Sequence, residues 1–257
     1  MLPDALFLNV HMYGIMIAIG VLVCFVVLFL YSKKIGINEK FVDFIFYDGV
    51  AAIVLGFLAA TLFQAFYNYR EHPELGFRFG SGMTFMGGLI GGAVVFLGLY
   101  FLFRKRLPGR LIDILSVLPC CITVAHGFGR IGCFFAGCCY GKETDSFLGV
   151  KFPNLPNPVH PTQLYEAAFL FILFGVLSYL LLKKHFRYNL SVYLAAYAIF
   201  RFAIEFVRGD DRGAYFFGGL LSPSQFWSII MLVLSVGVYF LTRYLDKIHY
   251  GTTAGQA

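Results

Sequence analysis

Apolar residues in this chain come in nearly unbroken blocks, separated by short stretches where charges, glycines and prolines collect. The blocks run approximately from Val10 to Tyr31, Phe41 to Phe66, Thr84 to Phe103, Leu111 to Phe128, Leu164 to Leu182, Leu190 to Val207 and Ser224 to Thr242. Each meets or approaches the length of about 20 apolar residues that carries an α-helix across a bilayer. In lipid these blocks must be helical, because a lone strand would leave its backbone donors and acceptors unsatisfied. The pattern therefore predicts an all-α, polytopic integral-membrane protein of about seven transmembrane helices. No soluble block interrupts the series, so residues 1–257 read as a single integral-membrane domain with its termini on opposite sides. The first block is too long for a signal-peptide core and no basic residue precedes it, so it reads as a retained helix. Gly251 to Ala257 reads as a frayed tail.

The loops differ in charge. One alternate set holds Lys33, Lys34, Lys40, Arg104, Lys105, Arg106, Arg110, Lys183, Lys184, Arg187, Arg243 and Lys247. The other holds Arg70, Arg78, Arg130, Lys142, Lys151, Arg208 and Arg212, offset by Asp4, Glu71, Glu74, Glu143, Asp145, Asp210 and Asp211. The positive-inside rule places the first set in the cytoplasm. The expected location is a bacterial cytoplasmic (inner) membrane, with the N-terminus outside and the C-terminus cytoplasmic. The longer outer loops, rich in Gly, Pro and aromatics, form the working face.

Composition agrees with the blocks. The 257 residues are 59% hydrophobic and 13% charged, against about 45–50% and about 25% in soluble domains. The net charge of +6 lies in short loops, where topology explains it better than nucleic-acid binding does.

Candidate chemistry gathers in a few places. His126 to Gly141 holds five glycines, three cysteines and an arginine in sixteen residues. Arg130 stands between Gly129 and Gly132 just after the fourth block; those glycines permit positive φ, and the segment is expected to cradle a phosphate with backbone N–H groups beside the guanidinium. On the sixth block Tyr197, Arg201, Glu205 and Arg208 share one helical face. An arginine at membrane depth costs about 2.5–3.5 kcal/mol, which makes function the default reading. A structural Arg201–Glu205 pair is the alternative. Two arginines and one carboxylate leave a surplus positive charge that suits an anion such as a phospholipid phosphate. His160 precedes Thr162, the expected cap of the fifth helix, with Glu166 near that helix's positive end. His160 is a candidate neutral-pH base. His11 and His126 read as interfacial residues.

These residues in series resemble the prolipoprotein diacylglyceryl transferase family. The resemblance rests on Tyr13-Gly14-Ile15-Met16, Met83-Thr84-Phe85-Met86-Gly87-Gly88-Leu89-Ile90-Gly91, Gly129-Arg130-Ile131-Gly132 with Gly141, His160-Pro161-Thr162-Gln163-Leu164-Tyr165-Glu166, and Phe200-Arg201 with Glu205 and Arg208. It implies attack of a lipobox cysteine thiol of a prolipoprotein, presented with its signal peptide, on the glyceryl carbon of phosphatidylglycerol. The products are a thioether and glycerol phosphate. Arg130 and Arg201 would stabilise the departing phosphate, Glu205 would hold the arginines, and a base would generate the thiolate. The expected catalytic set is Arg130, Arg201, His160 and Tyr13. The expected substrate-binding set is Arg130, Gly129, Gly132, Gly141, Tyr197, Glu205, Arg208, Met86 and Cys133.

Three positions depart from the family pattern: Met86 stands where histidine is common, Cys133 where asparagine is usual, and Cys138 where glutamate is usual. Methionine takes no proton at neutral pH, which leaves His160 or Tyr13 as the base. The alternative is a lipid- or anion-binding membrane protein, or a transferase with another acceptor, that has lost the histidine base. For Cys133, Cys138 and Cys139 the sequence leaves open a disulfide, a thiolate metal site completed by His126 or His160, a lipid-carrying nucleophile, and simple packing. C-x4-C-C is not a standard pair of ligand pairs; no metal, cofactor or nucleic acid is expected.

Overall fold

The computed structural model describes residues 11–80, 82–153, 155–209 and 220–250. Val10, Asp4, Asp210, Asp211, Arg212 and the tail from Gly251 lie outside the described residues. The chain is all-α and polytopic. Its helices are α1 (Met12–Lys34), α2 (Glu39–Glu71), α3 (Phe85–Phe103), the short α4 (Leu111–Ile114), α5 (Leu118–Ala136), α6 (Thr162–Lys184), α7 (Asn189–Ile204) and α8 (Pro223–Tyr250). Seven helices are long and apolar enough to cross a membrane, as the block pattern predicts. Among the described residues, extended pairing is limited to isolated antiparallel bridges: Gly141 with Arg208, and Val159 with Glu143 and Val150.

The fourth block divides differently from the expectation. Leu111–Ile114 forms a separate turn, and the spanning helix starts at Leu118 and runs on to Ala136. Pro119 in the first turn suits this start, since proline's missing N–H is unused there. Gly137, at φ 70°, ends the helix in the left-handed conformation. Gly137 N–H bonds Phe134 C=O at 3.1 Å, and Cys138 N–H bonds Cys133 C=O at 3.2 Å; this is the Schellman closure that glycine favours. Arg130 therefore lies inside a helix, and the expected glycine loop around it is not formed. Gly129 and Gly132 are helical, with their N–H groups committed to the helix.

The chain forms two compact units, residues 36–113 and residues 1–35 with 114–257. In the smaller unit α2 packs on α3 through small residues. A Cβ on Gly56 would stand 3.1 Å from Gly88 O, and one on Gly91 would collide with Ala59 Cβ. Such close backbone approach is how helices associate where lipid removes the hydrophobic drive. Thr84 fastens the contact, its N–H to Ala60 O at 3.1 Å and its hydroxyl to Gln64 Oε1 at 2.7 Å.

In the larger unit α5 is the central helix, packed against α1, α6 and α7. Gly20 on α1 lets Ala125 O approach to 3.0 Å of where a Cβ would sit, and Gly132 on α5 does the same for Tyr13 and Met16. Asn189, fully buried at the start of α7, donates to Ser116 O at 3.0 Å and Leu177 O at 3.1 Å. One amide thereby ties three segments together and satisfies two carbonyls that lipid could not.

Candidate active site

Helical spacing sets the site out on α5. His126, Arg130 and Cys133 fall at i, i+4 and i+7, so they share a face. Opposite them Glu166 lies in the second turn of α6, fully buried. Arg130 Nη2 meets Glu166 Oε1 at 3.0 Å, Tyr197 OH from α7 donates to the same oxygen at 2.8 Å, and His126 Nε2 approaches it at 3.6 Å. The Arg130 guanidinium also bonds Tyr197. The His126 and Tyr197 rings lie 5.3 Å apart. A buried carboxylate needs this density of partners, because desolvating it alone would cost several kcal/mol.

A second charge cluster lies at the end of α7. Arg201 Nη1 pairs with Glu205 Oε2 at 3.0 Å and Arg201 Nη2 donates to Ser224 Oγ at 2.8 Å. Ser222 Oγ donates to Glu205 Oε1 at 2.8 Å. Arg201 is close enough to act electrostatically on Glu166, Tyr197 and His126, so the two clusters form one field. Arg130 Nε and Glu166 Oε2 are buried without a hydrogen-bond partner among the described residues. Arginines outnumber carboxylates by three to two among Arg130, Arg201, Arg208, Glu166 and Glu205. Sequence reasoning reached that surplus from Arg201, Arg208 and Glu205 alone.

Arg208 does not continue the α7 face. Glu205–Val207 tightens into a 3-10 turn and Arg208 is extended, at φ −73° and ψ 144°. It bridges Gly141, while Lys142 N–H bonds Val207 O at 2.8 Å and Gly141 N–H bonds His160 O at 2.8 Å. A Cβ on Gly141 would meet Val207 O at 2.7 Å and His160 Cβ and Thr162 Cγ2 at 2.8 Å. Gly141 is thus the crossing point of three segments.

The other expected residues distribute as follows. Tyr13 packs on Gly132 and keeps 42% of its surface exposed. His160 Nδ1 faces Tyr165 OH at 3.1 Å. Gly129 looks onto open space. Met86 is exposed in the first turn of α3, in the smaller unit. Thr162 is not the cap of α6: Pro161 holds that position, and the Thr162 hydroxyl donates to Cys139 O at 2.8 Å instead. Gln163 Nε2 donates to Cys138 O. Sequence reasoning placed Glu166 only as a helix-start residue and His126 as an interfacial one. The signal for His126 was its i, i+4 spacing to Arg130, hidden while Arg130 was assigned to a loop.

The cysteine turn closes the site. The sulfurs of Cys133, Cys138 and Cys139 all lie within 4.8 Å of one another, as free thiols. Hydrogen bonds from Cys133 and Cys138 hold the Cys139 thiol well below the ordinary thiol range, and Arg208 and Arg130 add to the effect. Hydrogen bonds with Cys133 and Cys139 push the Cys138 thiol up.

A polytopic helical membrane protein with a buried arginine–carboxylate–tyrosine centre is the class that fold and site define. Residues 3–241 match the family model described as prolipoprotein diacylglyceryl transferase, and the chain belongs to that family. It is 35% identical over 246 residues to the phosphatidylglycerol–prolipoprotein diacylglyceryl transferase of Clostridium tetani (strain Massachusetts / E88), covering 92% of this chain and 95% of that protein. The second such transferase of Clostridium perfringens (strain 13 / Type A) is 34% identical over 247 residues, 92% of each chain. That of Marinomonas sp. (strain MWYL1) is 33% identical over 240 residues, 90% of this chain and 88% of the relative.

Proposed function

We propose that this enzyme transfers the diacylglyceryl group of phosphatidylglycerol to the lipobox cysteine thiol of a prolipoprotein, releasing glycerol phosphate. The sulfur attacks the glyceryl carbon, the carbon–oxygen bond breaks, and its electron pair leaves with the phosphate oxygen. One observation carries the reading. Two arginines, the half-buried Arg130 and the buried Arg201, are each held by a carboxylate and close enough to act on a shared centre. A phosphate entering beside them would meet fixed donors where negative charge develops, which is worth far more in a water-poor site than in water.

In this proposal Glu166, Tyr197 and His126 fix Arg130, while Glu205 and Ser224 fix Arg201. Arg208, bridged to Gly141, is the proposed third contact for the anionic headgroup. Gly129 leaves room beside Arg130 for the lipid, and Gly132 and Gly141 hold the walls. Tyr13 and His160 remain the proposed proton carriers, and Cys133 and Met86 the proposed substrate contacts. The enzyme would work at the outer face of a bacterial inner membrane, with its N-terminus outside. Complementation of a bacterium depleted of its own transferase tests the reading: growth returns and the prolipoprotein gains the diacylglyceryl mass. Good membrane expression with neither result would overturn the proposal.

A further inference from the structure

Thiol alkylation needs a thiolate, and Arg130 and Arg201 act on the phosphate rather than on the acceptor sulfur. The cysteine turn stands beside it. Cys133 is one helical turn beyond Arg130 on α5, and Cys138 and Cys139 follow the Gly137 stop, so three sulfurs from one short segment converge to within 4.8 Å. A zinc-class ion bound at about 2.3 Å to each sulfur would need sulfur separations of about 3.8 Å, a closure of at most about 1 Å.

The turn is built to hold that arrangement. Cys139 sits at φ 65°, a left-handed conformation that non-glycine residues adopt at a cost and that marks sites where surroundings over-determine the backbone. Thr162 and Gln163 fix it by bonding the Cys139 and Cys138 carbonyls. Those two residues open α6, the helix that carries Glu166. The C-x4-C-C spacing alone does not announce a site, because its three donors are brought together by the Schellman turn and not by a pair of CxxC loops. A disulfide would use two of the sulfurs and leave the third idle.

We infer that Cys133, Cys138 and Cys139 form a three-thiolate site for a zinc-class divalent cation, with an open fourth position that takes the acceptor cysteine of the substrate. Three thiolates and a dication carry one net negative charge, which Arg130 and Arg208 stand near enough to offset. A fourth, coordinating thiol gives up its proton to water on binding the metal. The resulting metal-bound sulfur then supplies the electron pair for the new carbon–sulfur bond as the carbon–oxygen bond to phosphate breaks. This inference rests on the transferase reading for the identity of the thiol; the metal site itself does not.

The full-length chain, purified in detergent and dialysed against metal-free buffer, tests it by metal analysis. The expected result is about one zinc per chain. Each of Cys133→Ser, Cys138→Ser and Cys139→Ser should lower zinc affinity at least about tenfold, whereas Cys24→Ser, distant in sequence and hydrogen-bonded to Cys121 as a free thiol, should not. Cobalt loaded in place of zinc into the unmodified chain should show a thiolate charge-transfer band, so the test does not depend on a variant folding. A lipobox-like peptide should change the cobalt ligand-field bands, and the same peptide with serine for cysteine should not.

A chain that binds neither metal, or whose intact mass shows two hydrogens lost within the turn as isolated, overturns the site. Metal binding with no response to the peptide thiol, or prolipoprotein modification that stays at the parent rate in the metal-free serine variants, overturns the thiol-activating role. Failure of the parent chain to modify prolipoprotein at all refutes the transferase reading instead, and the metal analysis still decides the site.

Discussion

Arg130 and Glu166 stand on different helices and meet at 3.0 Å, with the carboxylate fully buried and bonded through the same oxygen to Tyr197. The pair is both a fastening between α5 and α6 and the anchor of the proposed phosphate contact. The two roles separate under substitution. Arg130→Gln should reduce turnover by about 10²–10³-fold, the cost of losing one fixed donor to developing charge, in a complementation strain or in a glycerol-phosphate release assay. Glu166→Gln keeps an acceptor for Tyr197 but strands the Arg130 cation, and should cost about 3–5 kcal/mol of stability, read as a lower melting temperature in detergent.

Ser224 offers a finer measurement. Its hydroxyl accepts from Arg201 at 2.8 Å, and a hydrogen bond to a charged group contributes about 1.5–3 kcal/mol. Ser224→Ala should slow turnover by roughly tenfold to a hundredfold. Arg201→Lys keeps the charge and loses the forked geometry; it should fall further than Ser224→Ala in the same assay.

Gly141 and Gly129 should respond in opposite ways. Alanine at 141 would press on Val207, His160 and Thr162 at 2.7–2.8 Å, and overpacking of this kind costs about 1–3 kcal/mol. Alanine at 129 meets nothing within 4 Å and gains helix propensity of about 1 kcal/mol. Thermal melts of the two variants should move down and up respectively, and any loss of turnover in Gly129→Ala would then report crowding of the lipid.

In the smaller unit the small-residue seam between α2 and α3 sets the stability. Gly91→Ala drives a methyl into Ala59 and Gly56→Val drives a branched side chain onto Gly88 and Gly92. Both should lower detergent-solubilised yield and melting temperature, Gly56→Val more, while Gly98→Ala, with nothing within 4 Å, should not.

The spans were readable because lipid allows a bare chain so few options: a block of apolar residues of the right length has to be helical. Arg201 and Glu205 were readable for a related reason, since i, i+4 spacing on a helix fixes their contact regardless of tertiary detail. Arg130 was misplaced because a glycine-rich run looks like a loop in water. Inside a bilayer Gly132 instead lets α1 lie against α5, and the helix continues through it. Glu166 was missed as Arg130's partner for want of any local signal: 36 residues separate the two, and only the packing of α6 on α5 joins them. The cysteine convergence depends likewise on a left-handed turn at Gly137 and Cys139 that no spacing rule encodes.

Asn189 begins α7 with a neutral amide spread across two neighbouring carbonyls, and Arg201 closes it with a full charge. Those positions are about 18 Å apart along the helix. The uncharged end holds its neighbours by bonds that ionic conditions and lipid headgroups do not touch. The charged end is a buried ion pair, which salt screens far less than a surface pair. One helix therefore serves as a neutral post at one end and a charged contact at the other, and because both ends are buried, ionic strength should leave the bundle's assembly and the Arg201–Glu205 pair unaltered.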